Sequence, residues 1–414
     1  MNKLLGMRTA GIMVSALGGL VLAGCGATVS EENDTTPTTP TVTAKLADTG
    51  MGSAYCYKAG SDELVSCTGA EAQALSTTQD GMVGLDVTAP DSADGALGFS
   101  YTKMDAAGNA MAQTAIGWKC VKDNITGLVW EGKTDDGGLH DKDNTYSNAG
   151  TNASGDVSKF VADVNAAGWC GRTDWRLPTA WELQGLVHYG TPVGGWGNPR
   201  IDTAWFTNTS VNSVAYWASD AVAWDSTLSW GVEFVQGDVY WMSRNSAYHV
   251  RLVSGSQATS TGRFTVSTDG SEVTDAQTGL TWRRCMEGST WNGNDACVDG
   301  GSAGLTFTHE NALLRAKTVA SQTGKAWRMP NVRELSSLID RSRSAAPYID
   351  PDAFPQAHIG WYWTSTPKLY VDTTTTSGVA ATAGTVRSLS FGSGYVLSDP
   401  RSAHGQLRLV RDAQ

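Results

Sequence analysis

The sequence predicts an α+β protein made of two tandem copies of one domain. Each copy should hold two helices and a set of short antiparallel strands, behind a small disulfide-bonded N-terminal segment. Three observations lead there. One ordered series of motifs occurs twice, about 150 residues apart. Within each copy, helical caps and apolar stripes alternate with short aromatic runs bounded by turn residues. The cysteines segregate by copy, in pairs.

Composition sets the outer limits. The chain has 414 residues, 41% hydrophobic and 17% charged, enough for two or three domains and too apolar for a disordered chain. A net charge of −11 and a pI of about 5.0 argue against a general nucleic-acid binder. The 47 glycines and 16 tryptophans suit a loop-rich, strand-rich extracellular protein. All the tryptophans lie from Trp118 onward, so the first hundred or so residues are built differently.

Residues 1–24 read as a lipoprotein signal peptide. Lys3 and Arg8 precede an apolar, glycine-diluted stretch from Thr9 to Ala23, shorter than the roughly 20 residues a membrane span needs. The stretch ends in Leu22-Ala23-Gly24-Cys25, which resembles a lipobox, so Cys25 is expected to be lipidated and to begin the mature chain. Gly26 after it leans toward the outer membrane. Losing Lys3 and Arg8 with the peptide takes the charge from −11 to −13. Residues 25–50, rich in Thr and Pro, form an extended tether. Residues 51–116 form the small N-terminal segment.

The copies are expected at 117–254 and 264–414, joined by a polar linker at 255–263. Asp123 to Trp130 matches Asp275 to Trp282 at an offset of 152, and Trp175-Arg176-Leu177-Pro178 matches Trp327-Arg328-Met329-Pro330 at the same offset. Ile201-Asp202 with Phe206 answers Ile349-Asp350 with Phe354. Tyr216 to Ser219 answers Tyr362 to Ser365, and Arg251-Leu252-Val253 answers Arg408-Leu409-Val410. Thr126 to Trp130 follows a turn as a short strand. Asp156 reads as the N-cap of a first helix bearing Phe160, Val161 and Val164; its counterpart starts near Thr308. Thr179 with Glu182, and Asn331 with Glu334, form capping boxes for a second helix. Leu183, Leu186 and Val187, with Leu335, Leu338 and Ile339, make its buried stripes. Helices of about 10–15 residues and independent folding of each copy are the expectation.

With Cys25 assigned to lipid, six cysteines remain in an exported chain. Cys120 and Cys170 map onto Glu272 and Gln322, and Cys285 and Cys297 map back onto Lys133 and Thr145. Each pair is gained or lost together, as a disulfide should be, which leaves Cys56 with Cys67. Closing the Cys120–Cys170 loop should stabilise by about 4 kcal/mol. No Cys-x-x-Cys and no histidine at ligand spacing point to a metal.

These segments together resemble the Lcl C-terminal domain family, a domain of unknown function named for a collagen-like surface adhesin. The shared pieces are Thr126 to Trp130, Asp174 to Leu183, Tyr216 to Ser219 and Arg251 to Val253, and then Thr278 to Trp282, Trp327 to Leu335, Tyr362 to Ser365 and Arg408 to Val410. Copy 2 departs mildly, with Ala326 for Asp, Met329 for Leu and Asn331 for Thr. The Arg-Leu-Pro-Thr-x-x-Glu piece is also similar to the formylglycine-generating proteins. This resemblance implies a C-type-lectin-like core in both copies.

For function, the scattered histidines (His140, His188, His249, His309, His358, His404) form no triad context. Asp135, Asp136, Asp141, Asp143 and Asn144 could gather around calcium but match no EF-hand, and a solvated acidic loop explains them as well. Trp130, Trp175 and Trp217 recur as Trp282, Trp327 and Trp363 and read as core. The unmatched Trp196, Trp224, Trp230, Tyr240, Trp241 and Trp291 could stack on sugar rings; Trp224, Trp230, Tyr240 and Trp241 are the expected ligand contacts. The variable Thr373–Gly384 stretch reads as a mobile tip. The expected function is a lipid-anchored, non-catalytic surface module that binds a glycan or a protein partner. Its membrane contact is the lipid; no cofactor, metal or nucleic acid is expected. The namesake's sulfated polysaccharides fit poorly with a charge of −13. The alternatives are a formylglycine-type oxidoreductase, disfavoured by the missing metal-binding cysteine pair, and a structural envelope protein.

Overall fold

The computed structural model describes residues 46–88, 91–192, 199–210, 215–255, 262–299, 305–370 and 384–413. Cys25, the signal peptide, nearly all of the tether, Trp196, residues 256–261 of the linker and residues 373–383 of the variable stretch lie outside them.

The N-terminal segment carries β1 (Cys56–Tyr57), β2 (Leu64–Val65), α1 (Ala70–Leu75), a 3₁₀ turn (Asp80–Met82), α2 (Leu85–Thr88), β3 (Asp91–Ser92) and β4 (Gly95–Ala96). Copy 1 follows with β5 (Tyr101–Met104), β6 (Cys120–Asp123), β7 (Val129–Glu131), α3 (Val157–Ala167), β8 (Trp175–Arg176), α4 (Ala180–Gln184), β9 (Tyr216–Ala221), β10 (Leu228–Val232), β11 (Val239–Ser243) and β12 (Val253–Ser254). Copy 2 has β13 (Phe264–Val266), β14 (Glu272–Asp275), β15 (Leu280–Arg283), β16 (Ser289–Trp291), β17 (Cys297–Asp299), α5 (His309–Thr323), α6 (Val332–Ser336), β18 (Trp361–Pro367), β19 (Thr385–Ser390), β20 (Val396–Pro400) and β21 (Val410–Asp412).

The repeated motifs each do a local job. Asp123 turns the β6–β7 hairpin: its Oδ1 accepts from the Ile125 amide at 2.9 Å, and its Oδ2 from the Thr126 hydroxyl at 2.7 Å. Gly127 completes that turn at φ +77°, where a Cβ would be strained. Asp275 repeats the device with the Gln277 amide and the Thr278 hydroxyl, both at 2.9 Å. Both capping boxes form, at Thr179–Glu182 and Asn331–Glu334. In each, the glutamate also takes a two-pronged bond from the motif arginine: Arg176 at 2.8 and 2.7 Å, Arg328 at 2.7 Å twice. The terminal arginines are fully buried. Arg251 donates to the Glu131 carbonyl at 2.7 Å, and Arg408 to the Arg283 and Arg284 carbonyls at 3.0 and 2.8 Å.

The first helices span 11 and 15 residues, within the expected range. The second helices span only five residues each, shorter than the sequence predicts. Competition for backbone amides ends them. The Leu186 and Val187 amides tighten onto carbonyls three residues back. The amides of His188 and Tyr189 then go to the Arg200 and Thr49 carbonyls. In copy 2 the Asp340 amide likewise goes to the Tyr348 carbonyl.

All three expected disulfides form: Cys56–Cys67, Cys120–Cys170 and Cys285–Cys297, with Cα separations of 4.9, 6.5 and 5.4 Å.

The copies do not stand apart as independent units. Their hairpins join in one antiparallel six-stranded sheet, ordered β18-β19-β20-β11-β10-β9. The order is palindromic, because β9, β10 and β11 are the counterparts of β18, β19 and β20. At the centre Val239 pairs with Val396, its own counterpart at an offset of 157. Pairing covers two strand edges that would otherwise be exposed. Beneath the sheet, Gln184 donates to the Ser336 hydroxyl at 3.2 Å, again between equivalent positions 152 residues apart. One apolar cluster runs through both copies and includes Trp130, Leu183 and Val239 alongside Trp282, Leu335 and Val396. Smaller clusters sit under α3 and α5.

The N-terminal segment is part of this body. Met51, Phe99 and Tyr101 enter the shared cluster, while Tyr57 and Leu75 enter the one under α5. Tyr101–Met104 pairs with β6 as the first strand of copy 1, the role β13 plays in copy 2. The sheet of copy 1 therefore begins upstream of residue 117. Residues 105–119 lengthen its first hairpin, which hid this strand from the motif comparison.

Candidate functional site

A cleft of about 600 Å³ opens where the copies meet. Copy 1 contributes Thr179, Trp181, Glu182 and Asp220. Copy 2 contributes Arg263, Phe264, Asp340, Arg341, Asp350 and Asp352, among others. The local backbone explains why these side chains converge. Trp181 and Glu182 ride on the first turn of α4. Asp220, near the end of β9, accepts the Ala180 amide at 2.5 Å and so helps start that helix. Asp340 and Arg341 follow immediately after the α6 turn.

Several charges in the cleft are already committed. Glu182 is held by Arg176, and Arg263 by Asp275 at 2.8 and 2.6 Å. Burial raises the Asp220 pKa against the pull of the Arg341 guanidinium, and burial lowers that of Arg341. Asp340 and Asp350 are less occupied. Oδ1 of Asp340 takes the Ser342 amide and hydroxyl, and Oδ1 of Asp350 takes the Asp352 and Ala353 amides. Such carboxylates can accept hydrogen bonds from the hydroxyls of a polar ligand.

Behind the cleft wall lies an aromatic face of the shared sheet: the Arg341 guanidinium is 4.8 Å from the buried Trp230 ring. Trp224 is 47% exposed, and its ring meets Trp241 edge-on at 5.9 Å. Trp241 in turn lies 5.9 Å from Tyr395 of copy 2. The face is thus a joint product of both copies.

Of the four aromatics singled out in the sequence, Trp224 is exposed, Tyr240 and Trp241 are half-buried, and Trp230 is buried. Trp230 is only 3% exposed, sealed beneath Tyr395 at 6.0 Å and beneath Gly394, where even a Cβ would fall 2.7 Å from its ring. Tyr240 alternates to the opposite face of β11 and packs in the cluster under α3. Tyr395 was not singled out, because its contribution depends on pairing between copies. Trp291, also unmatched in copy 1, lies under Arg284 at 4.3 Å.

Among the described residues, two acidic groups could hold a cation. Asp135, Asp141 and Asp143 converge in an exposed loop of copy 1. Its charges are largely satisfied: Asp141 accepts three backbone amides, and Lys142 pairs with Asp135 and Asp143 at 2.7 and 2.8 Å. Asp48, near the end of the expected tether, converges with Asp80 and Asp86 of the N-terminal segment, all buried. Their spacings of 32 and 6 residues carry no sequence signal for a shared site.

His188, half-buried, and His309, buried, are held neutral, the first with its pKa lowered to about 4 and the second to about 3. Burial is the main cause in both, with Arg333 and Arg401 respectively adding repulsion. His309 bonds the Thr364 carbonyl at 3.0 Å and accepts from Arg401 at 3.3 Å, a structural arrangement. Among the described residues, no helix is long and apolar enough to cross a membrane.

A tandem α+β architecture with a shared sheet and recurrent capped helix starts defines the class of protein, and family comparison places it. The Lcl C-terminal domain profile matches residues 119–254 and again 271–411, so the chain belongs to that family and carries two copies of its domain. No curated protein and no solved structure matches the chain.

Proposed function

We propose that this chain is a lipoprotein held at the outer membrane through Cys25, whose paired lectin-like copies form a non-catalytic module that binds a glycan. The observation that carries the ligand class is the seam between the copies. There Asp340, Asp350 and Asp352 line a cleft, and on the shared sheet the exposed Trp224 meets the half-buried Trp241. Carboxylates that accept from vicinal hydroxyls, next to aromatic faces that cover a sugar's apolar side, are the chemistry of carbohydrate recognition. The acidic lining favours neutral or amino sugars over sulfated ones. Most repeated motif residues are occupied by turns, caps and core packing; Asp350 both holds its turn and lines the cleft. The formylglycine-type alternative has less support, because Cys285 and Cys297 are bonded to each other.

A glycan array probed with residues 26–414 tests this reading. Trp224→Ala and Trp241→Ala should each weaken binding several-fold, from about 1 kcal/mol of lost aromatic contact, and leave the fold intact. An array without any ligand, or binding untouched by both substitutions, would favour the structural-protein reading. For the anchor, Cys25→Ser should release the protein from the membrane fraction; unchanged detergent partitioning would contradict it.

A further inference from the structure

Asp48, near the end of the expected tether, and Asp80 and Asp86, in the N-terminal segment, are 6%, 0% and 2% exposed. Each offers a carboxylate oxygen, and these atoms all lie within 4.8 Å of one another. Oxygens no farther apart than that can all reach one ion at about 2.4 Å, the oxygen distance calcium prefers.

Part of the cluster is built as ordinary structure. Asp48 Oδ1 accepts the Thr49 amide at 2.7 Å, and its Oδ2 accepts the Asp86 amide at 3.0 Å. Thr49 donates its hydroxyl to Asp80 Oδ2 at 3.1 Å. The rest is unmet. Asp80 Oδ1 and both carboxylate oxygens of Asp86 are buried without a well-formed hydrogen bond among the described residues, although the Thr366 hydroxyl approaches Asp80 and the Val87 amide approaches Asp86. Buried carboxylate oxygens left like this cost several kcal/mol unless something positive meets them.

The charges point the same way. Arg333 is the buried cation that attracts Asp48, and its Nη2 is committed to the Val187 carbonyl at 2.5 Å. Glu334 repels the cluster but is itself matched by Arg328. Three carboxylates against one arginine leave two negative charges, which a divalent cation would neutralise. The backbone also makes room: at Gly84 (φ +106°) a Cβ would sit 2.3 Å from Asp48 Oδ2.

We propose that Asp48, Asp80 and Asp86 bind one calcium ion, which fastens the stretch around Asp48 to the 3₁₀ turn and α2. Calcium accepts several carboxylates in a dry, irregular site, whereas magnesium keeps most of its water and uses one or two. In the ion's absence, burial and mutual repulsion push Asp80 up to about 8 and Asp86 up to about 11. A metal would bind in competition with those protons. The inference is independent of the glycan reading, since these residues lie outside the seam cleft.

The test uses the full chain, stripped with EDTA, dialysed at pH 7.5 and titrated with calcium chloride by calorimetry. The expected result is one tight site per chain, a higher Tm with calcium, and protection of residues 46–88 from limited proteolysis. Asp80→Asn and Asp86→Asn should each weaken binding at least 100-fold and make the Tm insensitive to EDTA. A double Asp135→Asn, Asp143→Asn variant should bind as the parent does. If either single variant fails to fold, the parent's stoichiometry and protease protection still decide. No calcium uptake by the parent would mean that the carboxyls hold protons instead, and would overturn the proposal. So would undiminished binding by folded Asp80→Asn and Asp86→Asn, or loss of binding in the Asp135/Asp143 variant.

Discussion

Arg328 and Glu334 hold the start of α6 with two parallel bonds, and both side chains are nearly out of water, at 9% and 7% exposed. Removing one member strands a buried charge. Glu334→Ala should therefore cost about 3–5 kcal/mol in urea unfolding. In the counterpart pair the arginine is 26% exposed, so Glu182→Ala leaves Arg176 able to reach water and should cost clearly less. Equal losses would show that burial does not set the value of this motif. Protonation offers a second check. His188 and His309 have pKa values lowered in the folded chain to about 4 and about 3, against 6.5 when free. The unfolded chain therefore binds protons first. Their stabilising contribution is whole above about pH 6.5 and shrinks as pH falls toward 4 and then 3. Imidazole NMR signals from both rings should stay neutral at pH 5; titration near 6.5 would contradict their burial. The sequence made motif residues legible because their roles are local: Asp123 bonds residues two and three positions on, and Thr179 bonds residue 182. Asp48, Asp80 and Asp86 were not legible, since only the tertiary fold brings them together.

At the scale of elements, the starts of helices were legible and their ends were not. A capping box is written in four residues, whereas the stop after five comes from distant carbonyls at Arg200 and Thr49. Thr179→Ala and Asn331→Ala should each cost about 1 kcal/mol, by loss of the bond to the Glu182 or Glu334 amide. Tm shifts would reveal this; no shift in either would mean that the Arg–Glu bonds alone hold the helix. The disulfides were legible because loss and gain by copy is visible in the sequence. Cys120–Cys170 ties β6 to the turn after α3 across 50 residues, so a double serine variant should lose about 4 kcal/mol and keep its binding. The strands were legible as aromatic runs, but their inner and outer faces were not. Trp241 and Tyr240 are neighbours in sequence, and only the sheet's placement decides that one packs on the shared core and the other on the core under α3.

At the scale of the molecule, the repeat announced two domains and concealed that they form one body. Nothing local marks Val239 and Val396 as partners. Each lies on a strand that would be an ordinary sheet edge in a lone copy, and the duplication joins the two edges. The seam cleft and the Trp224–Trp241–Tyr395 face exist only because of that junction, so the proposed ligand site depends on it. Arg387 of copy 2 shows how firmly the halves are tied: fully buried, it pairs with Asp238 of copy 1 at 2.6 Å and lies over Tyr189 at 5.1 Å. Differential scanning calorimetry of residues 26–414 tests the joined body most directly. One transition is predicted, with calorimetric and van't Hoff enthalpies that agree. Two resolved transitions, each with the enthalpy of a single copy, would show that the copies fold separately and would contradict the account.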